Sequence, residues 1–471
     1  MGRRDFLTRA STAVAGTTLL SAGVGSSNIG CATSRAVIPA KTDTGGVVRA
    51  AFLRPKGKYW LGWPGTSYDV EGRTRDCVAK IKEAEKELGL SILIEEEPLY
   101  NNGAVARFIT SVKASNPDGV LLIPLHMNTW GQVTKICDAG LPTVIFAPIG
   151  MSFTGHVKDL ARKKGVYVAS TMDFDAAKYG LRMIWAMLQM KRDLIVVFRG
   201  KETSEDTWGT LGTRLRTIPR QRYADEINRV GDTPEAREIA SEYSQNARKI
   251  VEPSQKDVLD AARVYIASRN ILEAEGASGI TVDCLGLIGE RKVFVTPCLA
   301  WSKLNDEGVP AACEADTEAV MTYLMLQRLF DKPGFMQDPV ADTVRNIFIG
   351  AHCTSPTRLN GIHGPQEPFI LRSHSESDIA VAMQILWREG QRITITKFQG
   401  PQQVLVGTAT VRTNINTPPA GGCRTSVETD VDDVPEATDV RGFHQVFMYG
   451  DEHARQLRAF CQMAGLKSLH L

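Results

Sequence analysis

Between residues 47 and 150, short apolar runs alternate with amphipathic stretches. Runs 47–53, 92–94, 119–124 and 143–147 read as strands, while 73–88 and 105–114 carry their apolar residues at helical spacing. Apolar strands separated by helices belong to a parallel sheet covered on both faces. A second set opens at 165–169, continues through a helix over 175–190 and a strand at 194–198, then enters a polar, helix-rich stretch over 213–272. Beyond Arg345 the pattern changes to short alternating strands at 369–373, 380–387, 392–398 and 403–412, with Gly and Pro turns between them, which predicts an antiparallel sheet or barrel. A helix over 451–464 closes the chain. The expected fold is α/β: two doubly wound parallel-sheet (Rossmann-like) domains at 47–158 and 159–335, then an antiparallel β domain with a final helix at 336–471. Ligands of such parallel sheets sit at the carboxyl ends of the strands.

The first 36 residues follow a different rule. Arg3-Arg4-Asp5-Phe6-Leu7 leads into a weakly apolar stretch, 13–24, without an acidic residue. This is too short for a membrane span, which needs about 20 apolar residues, and has the layout of a twin-arginine export signal. It predicts the twin-arginine export machinery as a partner and the periplasm or exterior as destination. Asn28-Ile29-Gly30-Cys31 lacks the aliphatic first position of a lipobox, so cleavage near Ser34-Arg35-Ala36 is the favoured reading and lipid anchoring at Cys31 the alternative.

Composition excludes more than it selects. With 55 basic and 53 acidic residues in 471, the net charge of +2 provides no broad field for nucleic acid. The nine cysteines contain no C-x-x-C pair, so one or two disulfides fit an exported chain but a cysteine framework does not. Phosphate-cradling glycine motifs and a G-x-S-x-G elbow are absent. The aromatic segment 59–65 after the first strand reads as a loop packed on its own domain, with a crevice lining as the alternative.

What remains is a set of separated polar residues. Glu314 follows the apolar 309–312 and precedes an amphipathic helix with Asp316 or Thr317 as N-cap, a junction that commonly faces a crevice. Asp338 falls in a Pro- and Gly-bounded segment read as a loop, and His444 follows Gly442-Phe443. Two carboxylates and an imidazole would make a hard-cation site that only folding can assemble. Each also has an ordinary reading: a helix-start charge, a turn residue, a satisfied core histidine.

The ordered motifs Cys313-Glu314-Ala315-Asp316, Phe335-Met336-Gln337-Asp338, Gly350-Ala351-His352 and Gly442-Phe443-His444-Gln445-Val446-Phe447 give residues 281–471 a resemblance to the C-terminal half of the L-fucose and L-arabinose isomerases. The N-terminal half matches only as a general α/β pattern. The resemblance implies a metal-dependent aldose–ketose isomerase acting on a fucose- or arabinose-like sugar through an enediol. Its metal would be Mn²⁺, with Mg²⁺ or Co²⁺ as substitutes, held by Glu314, Asp338 and His444, with His352 added if the arabinose arrangement applies. Glu314 and Asp338 would also be the acid/base pair. The arabinose branch places its glutamate at the position of Gln337, so Asp338 is chosen on the fucose pattern and Asp342 is the reserve. Cys313 and Cys353 are expected to face away. His374 is a candidate for a sugar hydroxyl, and His126 and Trp130 are candidates for substrate contact, from the same or a neighbouring subunit, since the family's proteins are homo-oligomers. An exported sugar-binding protein without turnover is the competing expectation.

Overall fold

The computed structural model describes residues 45–60, 63–416 and 422–471, which form one compact unit. The twin-arginine signal over 1–36 and Cys31 lie outside the described residues.

The first sheet is wholly parallel, in the order β2-β1-β3-β4-β5, with β1 Val47–Leu53, β2 Ser91–Ile94, β3 Gly119–Pro124, β4 Thr143–Ala147 and β5 Val166–Ser170. Alternate residues of β1 divide between two cores. Val48, Ala50 and Phe52 pack under helices Val70–Leu88 and Asp175–Arg192, while Ala51 and Leu53 pack under Asn102–Ser115 and Trp130–Cys137. Helices on both faces explain why β3 and β4 are buried at every position. The segment 165–169, read as the opening of a second set, instead supplies the edge strand of this sheet. An apolar strand carries no mark of which neighbour it will pair with.

The second sheet has the order β11-β10-β6-β8-β7: β6 Leu194–Phe198, β7 Ser204–Trp208, β8 Thr213–Ile218, β10 Gly279–Val282 and β11 Ala311–Cys313. β6, β8, β10 and β11 run parallel, and β7 is antiparallel to β8 at the edge. The stretch 213–272, read as helix-rich, therefore begins with a strand. β7, with the sequence SEDTW, is exposed except at Trp208 and has no apolar run to reveal it. A short strand β9 (Lys249–Ile250) joins β14 (Phe369–Arg372) and β15 (Ala382–Ile385) in a three-stranded patch.

The remaining strands close into a barrel. β12 (Phe335–Asp342), β13 (Ile347–His352), β18 (Thr425–Val431), β17 (Gln403–Asn414), β16 (Arg392–Phe398) and β19 (Gln445–Tyr449) pair antiparallel in that cyclic order, because β19 bonds back to β12. β20 (Lys467–His470) pairs parallel with β17 on the outside. The barrel begins at Phe335, ten residues before the change of pattern at Arg345. Aromatic rings fill it: Phe335 lies 5.5 Å from Trp387 and 6.1 Å from Phe447, and Trp387 lies 5.0 Å from Tyr449. Gly350 belongs to this packing, since a Cβ there would meet Phe447 at 2.5 Å and Gln337 at 2.9 Å.

Helix Thr317–Phe330 couples the second sheet to the barrel. It leaves β11, and its side chains bond to barrel backbone: Thr322 Oγ1 accepts from Phe398 N at 3.0 Å, and Glu318 Oε1 from Gly400 N at 2.7 Å. The carboxyl end of β11 is thereby held against β12, β13 and β19.

Candidate metal centre

The chain reaches the site through an unusual turn. Glu314 and Ala315, directly after β11, take φ values of 61° and 53°, and His444, directly before β19, takes 53°. Left-handed backbone is costly for residues with a Cβ and collects where a side chain must be aimed. Asp316 then caps helix Thr317–Phe330 by accepting from Ala319 N at 2.8 Å.

Barrel register supplies the other groups. Gln337 pairs with Gln445, and Asp338 with Ala351, so Asp338 on β12, His352 at the end of β13 and His444 just before β19 are neighbours. Asp338 is thus on a strand, not in the loop expected from its Pro and Gly neighbours. Successive residues of a strand face opposite sides. Gln337, fully buried, turns to Gln445 at 2.8 Å, while Asp338 turns to His444. This parity favours Asp338 over Gln337. The reserve candidate Asp342 is excluded: four residues along β12, it accepts from Val344 N and Arg345 N and binds the Arg345 guanidinium at 2.6 Å in a surface turn.

Around His444 the distances are short. Its Nε2 lies 3.1 Å from Asp338 Oδ1 and 3.5 Å from Glu314 Oε2, and His352 Nε2 lies 3.6 Å from Glu314 Oε1. Donors each about 2.1 Å from one ion stand about 3–4 Å apart, which is the spacing of Glu314 with His352 and His444, while Asp338 makes its short approach to His444. Glu314, His352 and His444 can present donor atoms all within 4.8 Å of one another. His444 Nδ1–H donates to Asp316 Oδ2 at 2.8 Å, which aims Nε2 at the carboxylates of Glu314 and Asp338. Nε2 is buried and, despite its closeness to Asp338, has no aligned hydrogen-bond partner. A carboxylate–imidazole pair with the outer nitrogen free is the usual support of a metal-bound histidine. The residues therefore fit a divalent cation. His352 fits after one adjustment. Its Nδ1 accepts from Cys353 N at 2.9 Å, so ligation at Nε2 would move the proton to Nδ1, where Thr354 Oγ1 at 3.2 Å can accept it.

Charge is arranged to match. Burial works against the His444 imidazolium, but the carboxylates of Asp316, Asp338 and Glu314 overcome it and raise the group to about 9. Burial likewise opposes the Asp316 carboxylate, yet the bond from His444 and the buried Lys397 ammonium, 2.5 Å away, hold it down at about 2. His352 is raised, its burial outweighed by Glu314 and Asp338.

One cavity holds these groups. Its volume is about 30 Å³. That volume suits an ion with a water or two. His374 lines it, with Nδ1 2.9 Å from Ser377 Oγ. Cys313 and Cys353 also line it, contrary to the expectation that they face away, together with Cys284, Cys298 and Cys423. The Cys353 thiol, in contact with Cys298 and Cys423, is drawn well below its ordinary range by these two neighbours. These cysteines, like Glu376 and Thr296, lie on separate segments and carry no shared sequence signal. Lys397 was missed for the same reason, since a lone Lys inside a β-strand reads as exposed.

His126 and Trp130 do not line this cavity. His126 Nδ1 accepts from Asn128 N at 3.1 Å and its ring meets Tyr59 edge-on, while Trp130 Nε1 donates to Met151 O at 2.7 Å. Both are buried parts of the first sheet's carboxyl end. In the segment expected to pack on its own domain, Tyr59 is buried and donates to Leu125 O, whereas Trp60 and Trp63 are 77% and 55% exposed.

No protein-family model and no curated protein matches this chain. Among solved structures, a sugar ABC transporter sugar-binding protein from Bacillus halodurans is similar at 12% identity over 64% of this chain and 91% of that one, with a TM-score of 0.16, a value from which neither fold nor function follows.

Proposed function

We propose that the protein is a metal-dependent aldose–ketose isomerase of the L-fucose and L-arabinose isomerase kind, acting on a small sugar. The observation that carries this reading is the buried Nε2 of His444, anchored from behind by Asp316 and facing Glu314 and Asp338 without a hydrogen-bond partner. Glu314, Asp338 and His444, with His352 after its proton shift, would hold the cation. Oxygen donors joined by imidazole suit Mn²⁺, with Mg²⁺ or Co²⁺ as substitutes, although the thiols along the same wall would also admit softer ions. When bound, the cation supplies Lewis-acid polarisation of the sugar's carbonyl and adjacent hydroxyl.

The carboxylates do the proton work. One of Glu314 and Asp338 takes the C2 proton of an open-chain aldose while O1 gains a proton, giving the enediol. Loss of the O2 proton and return of a proton to C1 give the ketose. Positioned transfer of this kind contributes about 10²- to 10⁴-fold. His374, on the cavity wall, would bind a sugar hydroxyl. The doubly wound (Rossmann-like) winding of both parallel sheets, assembly as a homo-oligomer and delivery to the periplasm or exterior by the twin-arginine machinery belong to the same proposal.

The test is solvent-deuterium incorporation at C1 or C2 of a panel of aldoses and ketoses, followed by NMR with Mn²⁺-loaded protein. Metal-dependent exchange that disappears in Glu314→Gln and Asp338→Asn is expected. Unchanged exchange in either variant would remove the site assignment. Absence of exchange with Mn²⁺ bound, together with metal-independent sugar binding, would favour a binding protein without turnover.

A further inference from the structure

A second concavity lies apart from the metal centre and shares no lining residue with it. It measures about 520 Å³ and lies where the final helix Glu452–Ala464 packs on the edge strand β5 of the first sheet. Arg455 and Arg458, one helical turn apart, form one wall, and Arg162 and Lys164, just before β5, form the other. No carboxylate lines it, and among the described residues none of these four cations has an ion-pair partner. Elsewhere in the chain, Arg216, Arg220, Arg345 and Arg392 each bind two carboxylates. Four like charges around one concavity repel one another and leave a positive potential focused in it.

The walls are fixed by neutral contacts, so the cations are not needed to hold the helix in place. Gln462 Nε2 donates to Val166 O at 2.7 Å and Lys163 O at 3.2 Å, Gly165 N returns a bond to Gln462 O at 3.0 Å, and Tyr179 OH donates to Gln456 O at 2.8 Å. Gly465, at φ +72°, leaves room for the Lys164 side chain, whose Nζ a Cβ there would approach at 2.7 Å. Arg458 spends one N–H on Val406 O at 3.2 Å and keeps the rest of its fork free.

We propose that this concavity is a binding site for a small molecule bearing a phosphate or sulfate ester, separate from the metal centre. The volume is that of a small-molecule pocket, guanidinium forks match tetrahedral oxyanions, and the Lys164 ammonium adds a point charge. Tyr167 offers an apolar face and Ser468 a hydroxyl to the uncharged part of the ligand.

Calorimetric titration of the full chain at low ionic strength tests this, with glucose 6-phosphate, glucose 6-sulfate, inorganic phosphate and glucose as probes. At least one ester should bind saturably and more tightly than inorganic phosphate, glucose should not bind, and added salt should weaken the complex. Loss of one charge-assisted contact in Arg455→Gln or Arg458→Gln should weaken binding by about ten- to a hundredfold. Arg107→Gln, at an exposed position of helix Asn102–Ser115, should leave it unchanged. Phosphate-ester binding should strengthen from pH 5.5 to 7.5 as the second proton leaves, at about pH 6, whereas sulfate-ester binding should not, which separates the two ester sources. The proposal is overturned if neither ester binds more tightly than inorganic phosphate, or if binding survives Arg455→Gln and Arg458→Gln in protein whose circular dichroism is unaltered.

Discussion

Raising the pH should tighten metal binding steeply, and His444 sets the slope. In the metal-free protein its imidazole is held at about 9, with burial outweighed by Asp316, Asp338 and Glu314. At pH 7 it therefore carries a proton on the nitrogen that must become a ligand. Displacing that proton two pH units below its pKa costs about 3 kcal/mol, or about a hundredfold in affinity, at 1.36 kcal/mol per unit. His352, raised in the same direction, adds to the effect. Between pH 6 and 8 the apparent dissociation constant for Mn²⁺ should fall by about tenfold or more per unit, with at least about one proton released per ion. Calorimetry in buffers of different ionisation enthalpy measures both quantities. In His444→Gln the affinity should drop and the slope lose about one proton. A dissociation constant independent of pH, or an unchanged slope in His444→Gln, would refute the assignment of His444 Nε2 as a ligand.

Other consequences follow from the same geometry. The metal-free protein should lose stability as pH rises from 6.5 through 9, because a group raised on folding stabilises fully below its unfolded pKa and not above its folded one; the full effect is about 3 kcal/mol, read from urea midpoints at pH 6 and 9.5. Asp342→Asn should leave Mn²⁺ affinity unchanged and shift stability by less than about 1 kcal/mol, since its partners are a surface turn and the half-exposed Arg345. Gly350→Ala should lower stability by about 1–3 kcal/mol, the range for overpacking, because the new methyl would meet the Phe447 ring; an unchanged melting temperature would refute the close approach. Trp387→Ala, which empties the centre of the aromatic cluster in the barrel, should cost about 3–5 kcal/mol by chemical denaturation.

Local pattern was enough wherever an element's own side chains record its burial. The largely apolar runs of β1, β3, β4 and β6 announced buried parallel strands, and the apolar 309–312 followed by Asp316 announced both β11 and the cap of the next helix. Glu314 was legible for that reason, as a carboxylate at the mouth of a strand-to-helix junction. Matters decided by pairing were not. Gln337 and Gln445 are 108 residues apart, and only their register puts Asp338 beside His444 and turns Gln337 away. The polar edge strand β7 exists because β8 offers it a ladder, and β5 joins the first sheet because β4 was free on that side. The buried Lys397 and the five cysteines lining the cavity come together from strands, helices and loops that share no periodicity. The sequence by itself thus determined the element types and named most of the ionisable groups. Which of these groups meet was decided by barrel closure, because side-chain parity along a strand has meaning only once hydrogen bonding to a distant strand has set the register.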